Sequence, residues 1–159
     1  MEKSKSINII KFIASIVICQ VAGGIGAIFT TQSVQTWYPT LQKPSFNPPN
    51  WLFAPVWTLL YLLMGISLFL IWKDSKDKKN AVILFSIQLV LNVLWSVCFF
   101  GLKIPLLGLI VIVILLAFIL ANIISFYKIS KIAGILLIPY LLWVSFATVL
   151  NFSLWMLNR

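Results

Sequence analysis

Histidine is missing from this 159-residue chain altogether, which excludes His-ligated haem, the common zinc sites and imidazole acid–base catalysis. Acids are nearly missing as well: Glu2, Asp74 and Asp77 are the full set, and all three fall in connectors between apolar runs. Proton-coupled pumps usually carry an ionisable residue inside their spans, and these runs hold no acid and no histidine. Hydrolytic and metal chemistry drop out on the same grounds. Two cysteines, Cys19 and Cys98, sit within apolar runs, where a thiol acts as a small buried hydrophobe rather than half of a disulfide. Only 9% of the residues are charged, so there is no soluble domain to place.

What is present is apolar. The hydrophobic residues make up 62% of the chain, and a spanning helix takes about 20 residues, so the length accommodates five spans and little else. The expected fold is an all-α integral membrane protein. It is a five-transmembrane-helix bundle forming a single domain over 1–159, with helices near 7–31, 51–72, 81–102, 104–127 and 132–157. The net charge of +9 does not signal nucleic acid, because the basic residues lie in the short connectors. With five spans, nine lysines (3, 5, 11, 73, 76, 78, 79, 128 and 131) share one side, against Lys43, Lys103 and Arg159 on the other. The positive-inside bias then places the N-terminus in the cytoplasm and the C-terminus outside. Eleven lysines to one arginine and abundant Ile point to a bacterial cell membrane, with the mitochondrial outer membrane as the alternative for a eukaryotic chain.

One stretch departs from the rest. Trp37–Tyr61, WYPTLQKPSFNPPNWLFAPVWTLLY, holds five of the seven prolines and three of the seven tryptophans. Prolines 39, 44, 48 and 49 remove backbone donors and fix φ, so Pro39–Pro49 cannot be one helix. An ordered connector this long is usually a lid or a binding loop, and 32–50 is expected to cap a pocket on the external side. Asn47 and Asn50 are the candidate N-caps for helix two, and Pro55 falls in its first turn, where a missing N–H does no harm.

Two polar and aromatic stripes run at helical spacing. Gln88, Asn92, Trp95 and Phe99 share a face of helix three. Tyr140, Trp143, Ala147 and Asn151 share one on helix five, which Pro139 is expected to kink. Helix four is nearly all Leu, Ile and Val and is expected to face lipid without chemistry. In helix one, Ala22, Gly23, Gly26 and Ala27 form small-xxx-small pairs that admit a close neighbour. Trp51, Asn92, Trp95, Trp143 and Ala147 are expected to meet in one pocket beneath the cap. Indoles offer flat apolar faces with a single N–H donor, suited to a large planar ligand, and the Asn92 amide could bind a carbonyl or ring nitrogen. Each of these residues alone is more often interfacial packing or interhelical glue; the set beneath a stiff cap favours a pocket.

The run W-Y-x-x-L-x-K-P-x-x-x-P-P-x-W-x-F-x-P-V-W-x-x-L-Y resembles the signature of the TspO/MBR family, the tryptophan-rich sensory proteins and translocator proteins. Gln88-x-x-Leu91-Asn92-x-x-Trp95-x-x-x-Phe99-Phe100 and Pro139-Tyr140-x-x-Trp143-x-x-Phe146-Ala147-x-x-Leu150-Asn151 agree with it as well. The resemblance implies a five-helix bundle, often a homodimer, that binds protoporphyrin IX and related tetrapyrroles as well as isoquinoline and benzodiazepine-type drugs. It implies no bound cofactor, with porphyrin as ligand or substrate. Carried over by position, Trp51, Asn92, Trp95, Trp143, Phe146 and Ala147 would line the pocket. Trp51 and Trp143 would be the catalytic candidates for light-driven oxidative breakdown of the porphyrin; porphyrin transport is the alternative function. The family's sterol pattern is degraded here, with Phe152 at the tyrosine position and Arg159 beyond its reach.

Overall fold

The computed structural model describes residues 2–74 and 78–159. The centre of the charged connector read at Lys73–Asn80, including Asp77, lies outside the described residues. Five stretches are long and apolar enough to cross a membrane: Ser6–Thr36, Asn50–Lys73, Lys79–Gly101, Pro105–Ile129 and Lys131–Leu157. They comprise helices α1 (Glu2–Thr36), α2 (Phe53–Asp74), α3 (Lys79–Ser96), α4 (Pro105–Ile129), α5 (Lys131–Leu136) and α6 (Ile138–Leu157), with α5 and α6 forming the last span.

The spans close into a ring. α1 lies beside α2 and α3, α3 beside α4, α4 beside α5 and α6, and α5 returns to α2. Lipid tails are as apolar as leucine, so packing and interhelical hydrogen bonds hold such a bundle rather than hydrophobic burial. Gly65 is one point of close approach of α1 and α2: a Cβ there would stand 2.8 Å from the Ile16 Cα. Side chains such as Ile10, Ile28 and Leu142 point outward to lipid.

Three boundaries differ from the sequence expectation, each for a local reason. α1 runs to Thr36 rather than 31, and Thr30, Thr31 and Thr36 each satisfy their hydroxyl on the carbonyl four residues back. A polar helix end can therefore continue past the apolar band. α3 stops being α-helical at Ser96 and widens into a π turn over Val97–Gly101, where the Leu102 N–H donates to the Val97 carbonyl at 2.7 Å. Such turns leave carbonyls unpaired, and the Ser33 hydroxyl donates to the Phe100 carbonyl at 2.6 Å, tying α1 to the turn. The last span breaks at Leu137, before Pro139, so the proline occupies the first turn of α6 and no hydrogen bond is lost. α4 also departs from its expected role. Its Val111, Ile112, Leu115, Ile119, Asn122 and Phe126 are buried, so one face packs against α3 and α6 while the other meets lipid.

Candidate functional site

The proline-rich connector between α1 and α2 is fixed at several points. It opens with a 3-10 turn at Tyr38–Thr40 and closes with another at Asn50–Leu52. Tyr38 is only 1% exposed, and its hydroxyl donates to the Asn47 Oδ1. Its ring meets Phe53 and Phe100 at 6.1 and 6.0 Å between centroids, and the Lys43 ammonium sits 5.4 Å above it. Burial pushes the Tyr38 phenol up to about 12. Asn47 therefore anchors the connector instead of capping α2. Its Nδ2 donates to the Pro48 carbonyl, and no side chain caps the Asn50–Leu52 turn. Farther along, Gln42 and Asn158 exchange two hydrogen bonds of 2.9 Å, fastening the connector to the end of α6.

Below and beside the connector lies a cavity of about 750 Å³. α1 contributes Gly23, Gly24, Ala27 and Thr31, and the start of α2 contributes Phe53, Ala54, Trp57, Thr58 and Tyr61. Asn92, Trp95, Ser96 and Phe100 come from α3 and its π turn, with Pro39, Asn50 and Trp51 at the rim. None of the described lining residues carries a formal charge. Gly24, Ala27, Thr31, Ala54 and Thr58 are exposed although they lie within spans, so the cavity opens sideways between α1 and α2. Trp51 is 71% exposed on that rim. The Gln20 amide crosses the same seam, donating to the Thr58 carbonyl at 3.2 Å.

The inner wall is aromatic and hydrogen-bonded. The Tyr61 hydroxyl donates to Asn92 Oδ1 at 2.6 Å, and Asn92 Nδ2 donates to the Tyr140 hydroxyl at 2.7 Å. Trp95 Nε1 donates to Asn151 Oδ1 at 3.1 Å, while Asn151 Nδ2 reaches the Pro105 carbonyl at 2.9 Å. Trp57 is wedged among Tyr61, Trp95 and Tyr140, with centroids at 5.6, 6.0 and 6.3 Å. Gly23 lies flat on Tyr61, where any Cβ would come within 2.6 Å of the ring. These side chains are thus set in position by one another, a preformed wall rather than a loose one.

The structure brings together part of the residue set expected from sequence. Trp51, Asn92 and Trp95 line the cavity. Asn92 is 1% exposed and already engaged at both ends of its amide, so it orders the wall more than it reaches into the space. Trp143, Phe146 and Ala147 stand elsewhere, behind Phe53. Trp143 meets Phe53 edge-on at 6.4 Å and Phe146 at 5.6 Å, and Phe146 in turn meets Phe46 of the connector at 6.3 Å. Ala147, 8% exposed, borders a separate void of about 20 Å³. Sequence reasoning passed over Phe53, Trp57, Tyr61 and Thr58, the partner of Gln20 across the seam. The signal was there: Ala54, Trp57, Thr58 and Tyr61 repeat at helical spacing on one face.

The family model described as TspO/MBR family matches residues 15–156, a span that includes every residue lining the cavity. The chain belongs to the TspO/MBR family. It is 48% identical over 153 residues to the tryptophan-rich protein TspO of Archaeoglobus fulgidus, covering 95% of this chain and 99% of that protein. The translocator protein of Bos taurus is 36% identical over 141 residues, 86% of this chain and 83% of its own length. Tryptophan-rich sensory protein of Cereibacter sphaeroides is 33% identical over 147 residues, 92% and 90% of the two chains. Membership in the family, together with five helices able to span, makes the chain an integral membrane protein.

Proposed function

We propose that this protein binds a large planar ligand of the tetrapyrrole class, protoporphyrin IX being the probe of choice, in a sensory or protective role. The observation that carries the reading is the wall of the cavity. Its volume of about 750 Å³ falls in the range of small-molecule sites, and it combines aromatic faces with a few amides and hydroxyls. A planar macrocycle can lie against Trp57 and Trp95 and leave its carboxylates at the rim. There Lys43, whose Nζ is 3.1 Å from the Pro39 carbonyl, is the cation at hand. The same walls accept smaller planar ligands of isoquinoline or benzodiazepine type.

The names of the relatives, sensory protein and translocator protein, fit a membrane role of this kind. Between binding and passage, the packing favours binding. The cavity occupies the half near the connector, whereas Met64, Leu68, Ile71, Phe85 and Phe126 close the other half at 4% exposure or less. By the distribution of lysines, the connector faces outside and the N-terminus the cytoplasm. Under light and oxygen, oxidation of a bound porphyrin falls first beside Trp51, Trp57 and Trp95, with Trp143 reached only past Phe53.

The test is tryptophan fluorescence during titration with protoporphyrin IX in the dark, followed by illumination of the same samples. Saturable quenching that Gly24→Phe shifts to about tenfold higher ligand concentration or beyond is the expected result. Quenching that never saturates, or that Gly24→Phe leaves intact, would remove the cavity from the account. A light product formed beyond the protein-free control, and lost in Trp51→Phe, would add an enzyme-like activity to binding.

A further inference from the structure

Two cations from distant parts of the chain converge at the end of the bundle away from the connector. The Lys11 ammonium of α1 donates to the Trp72 carbonyl at 3.3 Å, and the Lys78 ammonium donates to the same oxygen at 3.1 Å. That carbonyl lies in the last turn of α2, where carbonyls lack an intrahelical partner. One ammonium would satisfy it. Two on one neutral oxygen repel each other, and each keeps further N–H donors. The start of α3 adds to the imbalance. Lys78 stands at its N-cap position without making a cap, and its first turn holds no acid, so free N–H groups bring partial positive charge to the same corner. Acids cannot balance the surroundings. Nine lysines fall at this end by sequence against Glu2, Asp74 and Asp77, so at least six have no acid to pair with. Lys11 and Lys78 are half-buried, while Ile7 and Ile10 on α1 and Ile83 on α3 are exposed close by within spans. An anion held by the two ammonium groups therefore adjoins a surface that meets acyl chains.

We propose that Lys11 and Lys78 form the headgroup site of an anionic phospholipid. One phosphodiester accepts from both ammonium groups in charge-assisted hydrogen bonds and relieves their repulsion. Its acyl chains run past Ile10 and Ile83. Basic pockets between helices at the cytoplasmic side of a membrane hold such headgroups, and the distribution of lysines assigns this end to that side. A zwitterionic lipid carries its own ammonium into the same corner and gains less. The site stands at the opposite end of α2 from the cavity and does not rest on what the cavity binds.

The test reads Trp72, whose emission is the difference between wild type and Trp72→Phe. Both are reconstituted in phosphatidylcholine liposomes containing a rising fraction of brominated lipid, either phosphatidylglycerol or phosphatidylcholine, with the bromines near the headgroup end of one acyl chain. Brominated phosphatidylglycerol should reach half-quenching at a mole fraction about tenfold lower than brominated phosphatidylcholine. Lys11→Gln with Lys78→Gln should abolish that preference. Lys11→Arg with Lys78→Arg keeps both charges and should retain it, which separates lost charge from a lost fold. Lys128→Gln with Lys131→Gln, at the same end of the bundle, should retain it too. No preference in the wild type, or one that survives the Lys11 and Lys78 glutamine pair, would overturn the proposal. Loss of the preference in the Lys128 and Lys131 pair would overturn it as well, leaving only diffuse surface charge. Inorganic phosphate added at constant ionic strength should not displace the lipid; displacement would give the site to a free anion instead.

Discussion

The two halves of this bundle are built from the same helices and solve opposite problems. Away from the connector, Leu68, Ile71, Ile119 and Ala133 are buried, and Phe85 stacks on Phe126 at 5.6 Å. The Ser67 hydroxyl crosses from α2 to the Ala133 carbonyl at 2.7 Å. Near the connector, glycines, alanines and threonines of α1 and α2 decline to fill the gap between them, and rings line the space instead. The walls of that space are tied by hydrogen bonds to a scaffold behind them: Tyr61 and Tyr140 through Asn92, Trp95 through Asn151, and α1 to the π turn through Ser33. The packed half supplies stability, and the tied half supplies shape.

Substitutions in the two halves should therefore separate. The largest loss of stability is expected from Phe126→Ala in the packed half, about 3–5 kcal/mol by analogy with buried aromatic truncations. Thr58→Ala at the cavity edge should stay within about 0.5 kcal/mol. Unfolding in mixed micelles measures both, and equal losses would erase the distinction between the halves. Asn92→Leu comes next: it strands the phenols of Tyr61 and Tyr140, and a buried group left unpaired costs about 1–3 kcal/mol. Because the same change frees two wall residues, ligand affinity should fall along with stability.

Gly24→Phe sharpens the contrast from the other direction. A Cβ at Gly24 meets nothing within 4 Å, so the ring can occupy the cavity without disturbing the fold. Affinity for protoporphyrin IX should drop about tenfold or more, near 1.4 kcal/mol, with the unfolding midpoint unchanged. A smaller effect, confined to alkaline pH, is expected at the connector. Burial raises the Tyr38 phenol to about 12 from an ordinary value of about 10. The folded state thus retains a proton that the unfolded chain gives up. The stabilisation is complete below about pH 10 and is lost as pH rises through about 12. Tyr38→Phe should flatten that part of the stability profile, with Lys43→Gln as a parallel control because the Lys43 ammonium sits over the Tyr38 ring. Smallest of all, Ser33→Ala should cost about 0.6 kcal/mol, the average for an interhelical hydrogen bond in a membrane.

Much of this was legible from residue order. Five apolar runs and the position of the lysines fix the number of spans, and the stripe Gln88, Asn92, Trp95 and Phe99 is buried as its spacing requires. Less legible was which stripe faces which. Helical spacing places Trp143 and Ala147 on one face of α6, but it is silent on the ring that stands between that face and the cavity. Phe53 looks like any aromatic in a proline-rich segment until the Asn50–Leu52 turn aims it inward. The π turn was invisible for a related reason: VCFFG carries no local mark of a wider turn, and the Ser33 hydroxyl that takes up the Phe100 carbonyl is 67 residues away in sequence. Gln88 and Asn122 are both buried without a partner among the described residues, and nothing in their spacing foretold it.

The seam between α1 and α2 has a thermodynamic consequence. A cavity that opens through the flank of the bundle exchanges its contents with the acyl chains rather than with water. Encounter then takes place in two dimensions, and the concentration that governs occupancy is the ligand's mole fraction in the bilayer. A dissociation constant expressed per litre of buffer should therefore rise in proportion to the lipid added, while the same constant expressed per lipid stays fixed. Titrations at two lipid-to-protein ratios separate the two routes, and Trp51 at the rim is the fluorophore placed to report them.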